Sequence, residues 1–146
     1  MATVKRARTA QYALHADFTF NVGVDGMVNS AGALVLFAAA GTNAFDAIPL
    51  PPGATITSGE LTVEVADNAT GTATMSVGDS LNATRYLAAT SIKTAARTAL
   101  APTGFRGNGE DVRVTLINAD GTATAGVVTV RITYVIAGRA NEVNPT

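Results

Sequence analysis

Val112-Arg113-Val114-Thr115-Leu116-Ile117-Asn118 and Val127-Val128-Thr129-Val130-Arg131-Ile132-Thr133-Tyr134-Val135-Ile136 are the two stretches whose reading decides the fold. In the first, Val112, Val114 and Leu116 alternate with Arg113 and Thr115; in the second, Val128, Val130, Ile132, Tyr134 and Ile136 alternate with Thr129, Arg131 and Thr133. A period of two puts successive side chains on opposite faces, so each stretch reads as a strand with one buried and one wet face. Between them stands Asn118-Ala119-Asp120-Gly121, where Asp-Gly supplies the positive φ of a tight hairpin connection, and the two strands are expected to pair.

The same alternation recurs upstream. Phe18, Phe20 and Val22 alternate with Asp17, Thr19 and Asn21; Leu61, Val63 and Val65 with Thr62 and Glu64; Ala73, Met75 and Val77 with Thr72, Thr74 and Ser76. Asp25-Gly26, Pro51-Pro52-Gly53, Asp67-Asn68, Gly78-Asp79 and Asn108-Gly109 interrupt the chain between these runs. Ala33 to Ala40, with Leu34, Val35, Leu36 and Phe37, reads as a fully buried strand, and Ser91 to Leu100 as a loop with a short strand or turn. About eight strands with irregular connections point to an all-β chain, an antiparallel β-sandwich or jelly roll. The expected organisation is an N-terminal arm at 1–14, the sandwich at 15–138 and a C-terminal tail at 139–146. Gly71-Thr72-Ala73-Thr74 is echoed by Gly121-Thr122-Ala123-Thr124, a match that composition alone explains in a chain so rich in Ala, Thr and Gly.

Composition narrows the function. The 146 residues suit one domain with one core. Charged residues are only 14%, against roughly 25% in an ordinary soluble domain. Ten Lys and Arg against eleven Asp and Glu leave a net charge of -1, with little self-repulsion to keep copies apart. That balance suits a subunit held in an assembly and argues against nucleic acid as a partner, which would need a basic face. The basic cluster Lys5, Arg6 and Arg8 lies in the arm. A mean hydropathy of +0.26 reflects buried strands, because the longest apolar stretch, Ala31 to Ala40, is far shorter than the roughly 20 residues of a membrane span; no membrane partner is expected. No apolar run follows the basic N-terminal residues as a secretory signal would require.

Catalytic chemistry finds little material. There is no cysteine to staple, ligate zinc or attack, and His15 is the one histidine, with no Gly-x-Ser-x-Gly signature. Asp25, Asp46, Glu60, Asp67, Asp79, Glu110, Asp111 and Asp120 mostly abut Gly or Asn in expected turns, where a carboxylate bonds the local backbone. No EF-hand pattern occurs, and Gly104-Phe105-Arg106-Gly107-Asn108-Gly109 lacks the lysine and following helix of a phosphate loop. No enzyme activity, cofactor or metal is expected. A sugar-binding sandwich is the rival class; it needs exposed rings, and the aromatics are 5% with no Trp, leaving Tyr12, Phe45, Tyr86 and Phe105.

Three stretches carry a family likeness: Ala47-Ile48-Pro49-Leu50-Pro51-Pro52-Gly53-Ala54-Thr55-Ile56, Met75-Ser76-Val77-Gly78-Asp79-Ser80, and Gly126-Val127-Val128-Thr129-Val130-Arg131-Ile132-Thr133-Tyr134. With them the chain, from about Phe18 to Ile136, resembles bacteriophage head decoration or cement proteins of the small jelly-roll type. The resemblance implies a virion protein, made in the host cytoplasm, that binds the major capsid protein at the capsid surface and stiffens the shell as a homo-oligomer, dimer or trimer. A tail or fibre component is the alternative within the virion. Contacts are expected from Lys5, Arg6 and Arg8 in the arm, from Asp46, Ile48, Pro49 and Leu50, and from Phe105, Arg106 and Asn108.

Overall fold

Burying one face of each alternating stretch requires a second apolar layer against it, and the computed structural model, which describes residues 12–138, supplies that layer as a second sheet. The strands are β1 (Leu14–Asn21), β2 (Gly26–Val28), β3 (Leu34–Leu36), β4 (Gly41–Ile48), β5 (Pro52–Val65), β6 (Ala73–Gly78), β7 (Leu87–Ser91), β8 (Ala96–Ala99), β9 (Arg106–Asn108), β10 (Val112–Asn118) and β11 (Val127–Ile136). Three of the eleven, β2, β3 and β9, are only three residues long, which leaves eight principal strands. All pairings are antiparallel. One sheet has the order β1-β11-β5-β8 with β9 also on β5, the other β4-β10-β6-β7, and β2-β3 form a separate hairpin. The chain therefore crosses from sheet to sheet at almost every connection.

A single core fills the space between the sheets. Phe20, Leu61, Val63, Val128, Val130 and Ile132 come from the first sheet; Phe45, Met75, Val77, Val112, Val114 and Leu116 come from the second. The alternating residues read from the sequence fall inward as expected, except at strand ends, where Val65 is exposed at the end of β5 and Ile136 is half-buried at the end of β11, outside the core. Phe18, Phe20, Phe37 and Phe45 pack as a cluster of tilted and edge-to-face rings with centroids 4.3–6.2 Å apart.

Two sequence expectations are corrected. β10 and β11 do not pair: β10 lies between β4 and β6, and β11 between β1 and β5, in opposite sheets. Alternation shows which face of a strand is buried but not which strand lies beside it, and residues 119–126 form a crossover instead of a tight turn. Gly121 does take a positive φ of 68° there, and the crossover is tied to residues 68–72: Gly71 N–H donates to Asp120 Oδ2, Ala119 N–H to the Thr72 carbonyl and Thr70 N–H to Thr122 Oγ1. The two echoing Gly-Thr-Ala-Thr segments are thus neighbours. Second, Ala33 to Ala40 is not a buried strand. Only Leu34–Leu36 is extended, and it pairs with Gly26–Val28 in a two-stranded ribbon that has a wet face, so Leu34 and Leu36 point outward while Val35 packs on the core. Within Ser91 to Leu100, Ala96–Ala99 forms β8, an edge strand.

Candidate functional site

The strand register decides which of the expected contact residues can act together. Leu14 pairs with Tyr134, Ile136 with Ala54 and Pro52 with Asn108, so the start of β1, the β4–β5 connection and β9 all lie at one end of the sandwich. The β6–β7 connection joins them, because Arg113 at the start of β10 faces Gly78. The two loops singled out from the sequence are therefore adjacent in space. Lys5, Arg6 and Arg8 lie outside the described residues, but the chain that follows them enters the fold at this same end.

Within this end the candidate residues divide into buttress and surface. Asp46 accepts from Arg113 through both oxygens, at 2.7 Å and 3.2 Å, and this bond is the main reason the Arg113 guanidinium titrates above its ordinary value. Ile48 is only 4% exposed and belongs to the core. Leu50 is half-buried and its N–H donates to Asp111 Oδ1 at 3.4 Å, which ties the β4–β5 connection to the start of β10. Pro49, Arg106 and Asn108 are exposed and form the accessible rim. Asn108 is held by its N–H on Glu110 Oε2 at 2.6 Å.

Phe105 is half-buried beneath Arg85, whose guanidinium carbon lies 3.6 Å from the ring centroid. Arg85 Nε donates to Asp79 Oδ2 at 2.5 Å, and Asp79 also accepts the Leu81 and Asn82 N–H groups at 2.9 and 2.8 Å. Its carboxylate is almost wholly buried, and the site compensates that with a cation and two backbone donors. Tyr86, next in the chain, has its phenol pushed up first by burial and then by Asp79. These contacts hold the 79–86 and 105–110 loops as one unit, so the rim is presented by a fixed frame.

Other polar groups are engaged locally. His15 Nδ1 is 3.0 Å from Thr133 Oγ1 on the outer face of the first sheet, beside a depression of about 420 Å³ that Glu60, Arg97 and Arg131 also line. Burial alone would raise the Glu60 carboxyl, but the hydrogen bonds and positive charges of Arg131 and Arg97 together outweigh it and hold it below its ordinary value. Among the described residues, no three His, Cys, Asp or Glu side chains gather as metal ligands.

The sequence reading missed the opposite end. There the β2–β3 hairpin exposes Val24, Val28, Leu34 and Leu36, with Leu34 at 79% and Val24 at 67% of full exposure. The signal was present as apolar residues flanking Asp25-Gly26 and Ala31-Gly32, but an apolar run is read as core unless the pairing that turns it outward is known.

The chain is similar in structure to chains of phage capsids. A chain of the cyanophage Pam1 capsid asymmetric unit matches at 25% identity and a TM-score of 0.58, over 92% of this chain and 94% of that one. A chain of the acid-stable capsid of Helicobacter pylori bacteriophage KHP30 matches at 18% identity and a TM-score of 0.59, over 86% and 89%. A chain of the Ralstonia phage GP4 capsid matches at 15% identity and a TM-score of 0.57, over 94% and 93%. The last two share the fold. No protein-family model and no curated protein sequence matches the chain.

Proposed function

We propose that this chain is a non-enzymatic structural protein of a phage virion, a decoration or cement protein that binds the major capsid protein on the outer surface of the shell and stabilises it. The observation that carries this reading is the likeness to a chain of the Pam1 capsid across nearly the whole of both chains, at 25% identity. The strand order supports the jelly-roll form of the sandwich: among the eight principal strands, the first, eighth, third and sixth make one sheet and the second, seventh, fourth and fifth the other.

Shell contact is assigned to the loop end, where Pro49, Arg106 and Asn108 form the accessible rim on the frame of Asp79, Arg85 and Phe105. Each contact is weak alone, and many symmetric copies raise the effective concentration of the rest. The basic arm, with Lys5, Arg6 and Arg8, ties the subunit to its neighbours in the shell.

The test measures occupancy on purified empty shells of the parent phage, and the shell melting temperature, with the intact protein and with Arg106→Glu and Asn108→Ala variants. Saturable binding that raises the melting temperature, weakened at least tenfold by the variants, is expected. Absence of binding by the intact protein overturns the cement reading; intact binding with unaffected variants moves the contact away from the loop end.

A further inference from the structure

Asn108-Gly109 is the one Asn-Gly pair in the sequence. An asparagine carboxamide can be attacked by the peptide nitrogen of the next residue, closing a five-membered imide, and a glycine there, having no Cβ, leaves the approach open. In a folded chain the reaction needs an unengaged carboxamide, an unengaged nitrogen and a backbone that can turn.

Among the seven asparagines of the described residues, Asn108 alone meets the first need. Asn21, Asn29 and Asn82 accept backbone N–H groups on Oδ1, Asn43 and Asn118 donate to carbonyls, and Asn68 does both kinds of work. The Asn108 side chain is exposed and makes no hydrogen bond to the described residues; its own N–H is on Glu110 Oε2 at 2.6 Å, away from the atoms that react. Gly109 is exposed as well, and its N–H donates to no acceptor among the described residues. Asp25-Gly26 and Asp120-Gly121 repeat the spacing, but their carboxylates are engaged, Asp25 by the Asn21 N–H and Asp120 by the Gly71 and Thr122 N–H groups.

The backbone around Asn108 is lightly held. β9 is three residues long and meets β5 at two pairs, Pro52 with Asn108 and Thr55 with Arg106, with the register shifting between them. Pro52 has no N–H to give to that ladder. Asn108 stands between Gly107 and Gly109, and a short exposed segment with few bonds opens locally at small cost.

We propose that Asn108 is a self-modification site whose co-reactant is water. The Gly109 nitrogen gives up its proton and bonds to Asn108 Cγ; the Cγ–Nδ2 bond breaks, and Nδ2 takes a proton and leaves as ammonia. One water then opens the imide at either carbonyl, so that position 108 becomes aspartate or, with the main chain rerouted through the side chain, isoaspartate. The new carboxylate stands next to Glu110 and Asp111 and lowers the formal net charge of -1 by one. Isoaspartate also adds a methylene to the main chain, which breaks the pairing with Pro52. A neutral point on the loop-end rim thus turns acidic with age. On the reading that this rim meets the shell, old and new subunits differ at the contact; the reaction itself needs no shell, so the two ideas can fail separately.

The test incubates the purified full chain in neutral and in mildly alkaline buffer, with circular dichroism showing that it stays folded, beside a peptide of residues 104–112 as the unrestrained reference. Isoelectric focusing should reveal a species one charge more acidic, heavier by the difference between a hydroxyl and an amino group, and formed faster in alkali because the Gly109 nitrogen must lose its proton. Peptide mapping should place the change at position 108, and an isoaspartyl methyltransferase should label it. Asn108→Gln, whose ring would be six-membered, should lose the acidic species and the label. A folded chain unchanged at position 108 while the peptide converts, or an acidic species undiminished in Asn108→Gln, would overturn the proposal.

Discussion

The central carbon of the Arg85 guanidinium lies 3.6 Å from the Phe105 ring centroid while the same side chain holds the buried Asp79 carboxylate. The two partners contribute unequally. Removing the ring should cost about 1 kcal/mol beyond its packing, because a cation over an aromatic face is worth that much near a surface. Arg85→Ala should cost about 2–3 kcal/mol, because it strands a buried charge that keeps only backbone donors. Urea unfolding of Phe105→Leu and Arg85→Ala is the measurement, and the arginine variant should be the less stable.

Gly78 is required by close approach. A Cβ at this position would stand 2.1 Å from the Asn82 carbonyl oxygen and 2.4 Å from the Ala83 carbonyl carbon, both backbone atoms that cannot rotate away. Gly78→Ala should destabilise by about 3 kcal/mol and displace the 79–86 loop that buttresses Phe105. Thermal unfolding would register the loss, and an unchanged melting temperature would mean that the loop is free to move.

Asn68 joins the β5–β6 and β10–β11 connections. Its Oδ1 accepts the Thr124 and Ala125 N–H groups at 2.9 and 3.0 Å, and its Nδ2 donates to Thr124 Oγ1 at 2.9 Å. Asn68→Ala should cost about 2 kcal/mol in urea unfolding, with Asn68→Asp recovering part of it by keeping the acceptor. Amide exchange at Thr124 and Ala125 should accelerate in the alanine variant.

Acid should weaken the fold through Glu60 and Asp120. Burial at Glu60 is outweighed by the hydrogen bonds and charges of Arg131 and Arg97 together, and the Thr122 hydroxyl and N–H hold Asp120 down, so both titrate below their ordinary values of 4.5 and 3.8. In the window between the folded and ordinary values the unfolded chain binds more protons than the folded one. Their contribution is therefore complete above those ordinary values and lost as pH falls through the lower folded ones. Unfolding free energy followed from pH 7 toward pH 3 should drop at the acid end, and Glu60→Gln with Asp120→Asn should flatten the drop.

The core was legible because burial of alternate residues is a local property: Phe20, Leu61, Met75, Val77, Val114 and Val130 announce their inward face by their own spacing, and the structure buries each of them. The all-β class and much of the punctuation follow from the same local rules, as Gly53 and Gly109 show by their positive φ of 83° and 104° at expected breaks. Partner choice was not legible, since the alternation of β10 is satisfied equally by β11 or by the β4 and β6 that flank it. The site followed the same division. Residues 46–50 and 105–108 could be singled out by their turn chemistry, but only the pairing of Pro52 with Asn108 made them neighbours, and only packing sorted buried Ile48 from exposed Pro49. Leu34 and Leu36 mark the limit most clearly. Their apolar character lies in the sequence, but whether they face core or solvent depends on Gly26–Val28 pairing with them as a two-stranded ribbon and on where that ribbon packs, which the pattern within either strand does not encode.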